Sequence, residues 1–159
     1  MNTIEEIAGE LCKILFPIED RIYFGNSGSE IAVCTLSSMR LLDEITNSSL
    51  MSKVNIAGRL LSENRGIEML VRHVISSGNI RTILLCGKDT TGHRSGHSLL
   101  CLHQNGIDES GRIVGSNSPD PVTSLTYEEV MMFQNQIKII DRIGETNISN
   151  LKPEIYKTQ

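Results

Sequence analysis

The sequence predicts an α/β protein built on a mostly parallel sheet. Three observations carry that expectation. Apolar, β-branched runs of strand length alternate with segments whose apolar residues recur at helical spacing. No run of about 18 apolar residues interrupts the alternation, so no membrane span is expected. No linker, low-complexity stretch or internal repeat divides it. With 159 residues, the chain reads as a single domain over 1–159, large enough to bury roughly two thirds of its unfolded surface.

The elements follow in order. Ile4, Ile7, Ala8, Leu11 and Leu15 form one helical stripe over 3–15, and Pro17 ends it. RIYFGNSGS is a short apolar stretch running into a Gly/Asn/Ser turn. IAVCTL at 31–36 is a strand. Residues 37–51 read as a helix or connector with Leu41, Leu42, Ile45 and Leu50 inward, and 54–60 as a weak strand ending near Gly58. Ser62 precedes a helix that buries Ile67, Leu70, Val71 and Val74 and closes at Gly78 and Asn79. RTILLCG at 81–87 is the clearest buried strand. Residues 93–105 read as a helix, RIVGS at 112–116 as another strand, and SNSPDPV as a turn. Thr126 and Glu129 form a capping-box signature, opening a helix expected to run to about Ile140, with a short polar tail behind it.

Composition narrows the function. Aromatic residues are 4% of the chain and Trp is absent, which leaves few faces for base stacking. The formal charge of −4 argues against a phosphate-tracking nucleic-acid binder. Cys12, Cys34, Cys86 and Cys101 make no C-x-x-C pair, and the N-terminus has early acids and no basic leader. Buried, reduced thiols in a cytoplasmic protein are therefore expected.

In parallel sheets, ligands sit beyond the carboxyl ends of the strands. Three turns belong on that edge: Ser62–Gly66, Gly87–Gly96 and Gly115–Val122. The segment CGKDTTGHRSGHS, 86–98, is the most informative. A buried strand delivers a glycine-flanked loop that places His93 at the mouth of a helix. Gly87, Thr91, Gly92, His93, Gly96 and Ser98 are its candidate contacts. Gly92 and Gly96 spare side-chain bulk around the ring, so a large flat ligand can approach the backbone. A neutral imidazole ligates cobalt and other borderline metals, and Asp89 is the expected partner of its second nitrogen. Glu63, Asn64 and Gly66 supply either a plain helix cap or a second wall, and Gly115, Ser116 and Pro121 a third. A His in a Gly-rich turn serves equally well as a capping or packing residue. The loop matches neither a P-loop nor G-x-G-x-x-G. Cys86, His93, His97, Cys101 and His103 admit a zinc reading, though without finger-like spacing. His73 and His103 are better taken as structural.

Residues 54–143 resemble the A-type subunit (MtrA) of tetrahydromethanopterin S-methyltransferase, the corrinoid carrier of methanogenic archaea. The matching pieces are SENRGIE at 62–68, SSGNIRTILLCG at 76–87, GHRSGHS at 92–98, LHQNGID at 102–108, RIVGS at 112–116 and FQNQIKIID at 133–141. Residues 1–30 are divergent. The resemblance implies a Rossmann-like fold with helices on both faces of the sheet. It also implies a cobamide cofactor (cobalamin or 5-hydroxybenzimidazolyl cobamide) with His93 as lower axial cobalt ligand. The methyl group would be carried on cobalt between partner methyltransferases, with protonation and release of His93 accompanying its loss and no turnover by this chain on its own. Two departures stand out. His97 occupies a position where the family usually has Gln. The polar tail NISNLKPEIYKTQ stands where the family member in the complex carries a membrane anchor, so a soluble homologue is expected. The alternatives are a cobamide storage or sensing protein and a zinc- or nucleotide-binding α/β protein.

Overall fold

The computed structural model describes residues 22–158; the helix expected over 3–15, and Cys12, lie outside them. A five-stranded sheet forms the centre: β1 (Ile22–Phe24), β2 (Ile31–Cys34), β3 (Ile56–Gly58), β4 (Thr82–Gly87) and β5 (Lys138–Ile143). Five helices accompany it: α1 (Met39–Thr46), α2 (Arg65–Ser77), α3 (Ser95–Asn105), α4 (Tyr127–Gln136) and α5 (Ile148–Lys157), with a 3-10 turn at Ser49–Lys53. The strand order is β1-β3-β2-β4-β5, parallel except for β1, which runs antiparallel to β3.

The strand sequences explain their places. Every residue of IAVC in β2 and of TILLCG in β4 is buried. A strand covered on both faces has no polar side to alternate with. Ala32, Cys34, Ile83 and Leu85 point to the core beneath α2, α3 and α4. Ile31, Val33, Leu84 and Cys86 point to the core beneath α1, the 3-10 turn and α5. The helices therefore lie on both faces. The chain moves outward from β2 to β3, then returns to β4 on the other side of β2. The ends of β2 and β4 thus flank the point where winding reverses, where such sheets open a crevice.

Three expectations are corrected. The helix beginning at Thr126 stops at Gln136, and Ile137 turns extended at φ −105°. Lys138–Ile143 then pairs with all of β4, from Thr82↔Lys138 to Gly87↔Ile143. The Ile-rich run favours a pleated edge, and no Gly or Pro marked the stop. RIVGS joins no sheet. Ile107↔Ile113 and Arg112↔Val122 are isolated bridges within a loop, and Gly111 and Gly115 in left-handed conformation break any longer ladder. The tail forms α5, with Leu151 and Ile155 fully buried one turn apart; two apolar positions are too few to show as a stripe.

The capping box is present as expected: Thr126 Oγ1 accepts from the Glu129 N–H at 3.1 Å, and Glu129 accepts from the Thr126 N–H at 2.9 Å. Arg72 on α2 also donates to Glu129 at 2.9 Å. Thr126→Ala is expected to lower stability by about 1 kcal/mol, measured as a shift in urea midpoint at unchanged slope.

Candidate functional site

β4 ends at Gly87, whose φ of +79° turns the chain sharply; a Cβ there would lie 2.2 Å from the Thr35 carbonyl oxygen. The loop that follows is pinned at both ends. Asp89 accepts from the N–H groups of Thr90 and Gly96 at 2.8 Å and of His97 at 3.0 Å. This carboxylate caps the first turn of α3, where the orphan amides and helix dipole favour an anion. Thr90 Oγ1 accepts from the Ser95 N–H at 2.9 Å, and buried Ser95 Oγ donates to the Leu60 carbonyl at 2.7 Å. The Arg94 N–H closes a turn onto the Thr90 carbonyl at 2.8 Å.

Between these pins stand Thr91, Gly92, His93 and Arg94, all exposed. His93 lies between two left-handed residues, Gly92 at φ +83° and Arg94 at φ +47°. Left-handed geometry is uncommon for a non-glycine residue and marks Arg94 as held by its surroundings. Its carbonyl accepts from Ser98 N–H at 3.0 Å and from Ser118 Oγ at 3.3 Å.

The ring of His93 is oriented from a different turn. Its Nδ1 lies 2.8 Å from Glu63 Oε2, in the loop between β3 and α2. The His93 side chain is 58% exposed and that of Glu63 only 3%. Glu63 Oε1 accepts from the Asp120 N–H at 3.1 Å, which ties in the third turn. Asn64 caps α2 through the Arg65 N–H at 2.7 Å and donates to the Asp120 side chain at 3.3 Å. The three turns expected on the carboxyl edge therefore meet through one buried carboxylate. The expected tautomer-fixing residue is corrected here: Asp89 is engaged on the backbone, and Glu63 holds the ring. A carboxylate already accepting one N–H takes a second donor most readily, which places the proton on Nδ1 and leaves the Nε2 lone pair free.

The other candidates occupy different surroundings. Gly92 has nothing within 4 Å of its Cβ direction, so open space adjoins His93. Gly96 is buried against Leu36 and Ile143, where a Cβ would meet carbons at 2.9 Å and 3.1 Å. Gly66 packs under Ser62, whose hydroxyl accepts its N–H at 2.8 Å. Ser98 is fully buried and its hydroxyl joins those of Ser116 and Ser118, which fastens the third turn to α3. Gly115 lies against Asn105, at the far end of α3 from His93, and Pro121 is buried. Sequence reasoning missed the Asp120 amide and Ser118; a backbone donor leaves no trace in residue type.

The zinc reading finds no cluster. Among the described residues no three His, Cys, Asp or Glu side chains gather. His97 Nε2 faces Cys101 Sγ at 3.5 Å, and His103 Nε2 donates to the Ile137 carbonyl at 2.6 Å beside the edge of Phe133. Cys34, Cys86 and Cys101 are free and buried, as expected. Desolvation pushes the Cys34 thiol up to about 12 and raises Cys86 further, so neither is a thiolate ligand at neutral pH. No helix among the described residues is long and apolar enough to cross a membrane.

The family model for MtrA, the A-type subunit of tetrahydromethanopterin S-methyltransferase, matches residues 16–159. The chain is 43% identical over 138 residues to the A-type Mtx methyltransferase subunit of Methanosarcina barkeri, covering 85% of this chain and 66% of that one. It is 37% identical over 143 residues to the A-type tetrahydromethanopterin S-methyltransferase subunit of Methanosphaera stadtmanae (88% and 55%). To the A-type subunit numbered 2 of the same enzyme in Methanothermobacter marburgensis it is 34% identical over 133 residues (82% and 69%). The chain thus spans between 55% and 69% of the length of these three relatives.

Proposed function

The chain belongs to the MtrA family, the A-type subunits of tetrahydromethanopterin S-methyltransferase, and from that premise we propose that it is a cobamide-binding carrier of methyl groups, with His93 as the lower axial ligand, working between partner methyltransferases. On this reading the sheet is a Rossmann-like platform in the cytoplasm, and the chain has no turnover alone.

One observation carries the reading: an exposed imidazole is gripped at Nδ1 by a carboxylate that is itself 3% exposed. Glu63 also joins the turns through the Asp120 N–H, and a buried acid that orients an exposed imidazole is the arrangement that fixes tautomer and basicity in metal-ligating histidines. The residues fit the group. Nε2 of His93 is the available donor, and nothing lies within 4 Å of the Cβ direction of neighbouring Gly92, so that residue adds no bulk beside the ring. Bound cobalt supplies a site that accepts and releases a methyl group.

The chain's own work is orientation and proton control. Glu63 holds the proton at Nδ1, the Asp120 amide holds Glu63, and Asp89 and Thr90 hold the loop. With Nδ1–H donated to Glu63, Nε2 carries the lone pair that a metal would take.

The test is to incubate the protein with cobalamin, remove excess and measure cobalt content and visible spectrum. Stoichiometric cobalt with a histidine-ligated spectrum supports the reading, and a colourless, cobalt-free protein refutes it. Glu63→Gln is expected to weaken cobamide retention by about 10- to 100-fold with the fold intact, read as cobalt content after the same wash. Unchanged retention would show that Glu63 only packs.

A further inference from the structure

The turn that orients His93 also borders a groove. Ser62, Arg65 and Gly66, which flank Glu63, line a cavity of about 780 Å3 between α2 and the β3–β1 edge of the sheet. That size falls within the roughly 300–1,000 Å3 of small-molecule pockets. The charge on its wall has one sign: among the described residues it holds Arg59 and Arg65 and no Asp or Glu. Arg59 follows the last residue of β3, so it too stands at the carboxyl edge. Its Nε is buried and has no hydrogen-bond partner among the described residues. A buried donor without an acceptor is costly, and a guanidinium matches a phosphate in charge and shape. Deeper in, the wall turns apolar at Ile56 of β3 and at Met69 and Leu70, one turn along α2 from Arg65.

We propose that this groove holds the nucleotide tail of the cobamide, its phosphodiester at Arg59 and Arg65 and its base along the apolar wall. The inference rests on the reading of His93 as lower axial ligand. A metal face has one axial position, so a cobamide ligated by His93 has its own base off the cobalt. One anion and one flat, largely apolar ring system then need a seat within a covalent tether of the corrin. The groove offers that chemistry in that order, with cations at the carboxyl edge and apolar side chains behind them. The reach is short. Arg65 is two residues from Glu63, so their Cα atoms lie within about 7 Å, and Glu63 meets the ring of His93 at 2.8 Å. A phosphate would also supply the acceptor that the buried Arg59 Nε lacks.

Cobinamide, a corrinoid that carries cobalt but no nucleotide tail, tests this against cobalamin. The protein is expected to retain cobalamin about 10- to 100-fold more tightly than cobinamide, with histidine-ligated spectra for both. Arg59→Met keeps an apolar stem and removes the donors. It should bring cobalamin down to the cobinamide level and leave cobinamide retention unchanged. Met69→Trp fills the groove from α2 and should act in the same way with both cations in place. Equal retention of the two corrinoids by the native chain overturns the proposal, and so does an equal loss of both in Arg59→Met. In either case a histidine-ligated cobinamide spectrum leaves the His93 reading standing. A chain that retains neither corrinoid defeats that reading, and this inference with it.

Discussion

His93→Ala is expected to lose histidine ligation altogether, with cobamide retention falling by more than about 100-fold. The side chain is largely exposed, and its loop is held by Asp89, Thr90 and Ser95 rather than by the ring. The fold should therefore survive. It should not be unaffected, because the Glu63 carboxylate stays buried with the Asp120 amide as its remaining partner. Leaving a buried polar group under-satisfied costs about 1–3 kcal/mol, and more where the group is charged. The double variant His93→Ala/Glu63→Gln is expected to recover part of that stability while remaining unable to ligate. Urea unfolding of the four corners of this cycle measures the coupling, and the visible spectrum measures ligation. Full retention of a histidine-ligated spectrum in His93→Ala would move the ligand elsewhere, with His97 the nearest alternative in sequence.

The largest effect on stability is expected from Gly87→Ala. A left-handed φ of +79° strains any L side chain, and the added carbon would lie 2.2 Å from the Thr35 carbonyl oxygen and 2.9 Å from Ser38 Cβ. Both obstacles belong to the turn after β2, which Gly87 meets where the sheet's winding reverses. The contact is with backbone, so no side-chain rotation relieves it. The cost is expected to be about 3 kcal/mol or more, seen as a large fall in urea midpoint or as failure to accumulate folded protein. Gly92→Ala is the control: its φ is also positive, but the space is empty, so only the conformational strain of about 1–2 kcal/mol remains.

How far the sequence could be read follows from what each element buries. β2 and β4 are continuous apolar runs, and the three turns rich in Gly, Ser and Asn were legible as neighbours on one edge of the sheet. They do meet, through Glu63. The stop of α4 and the start of β5 were not legible, because Ile137 to Ile140 carries apolar residues compatible with either period and only pairing with β4 decides. α5 was hidden by its polar surface. At the site, His93 could be picked out from its setting, but its partner could not. Asp89 is four residues away and Glu63 thirty, and nearness in sequence favoured the wrong acid. Asp89 is instead taken up by amides that a helix start always exposes, a competing demand that spacing alone does not reveal.

The pinning of the His93 loop at both ends has a kinetic consequence. Only Thr91, Gly92 and His93 stand between the pinned residues, and the His93 ring is held by a hydrogen bond to Glu63. Swinging the imidazole off and back needs a side-chain rotation and the loss of one contact, with no opening of the sheet or shift of a helix. Such a step belongs to the nanosecond-to-microsecond range rather than to slow domain motion. If His93 ligates a metal as proposed, release of the ring would be limited by the metal–nitrogen bond rather than by the fold.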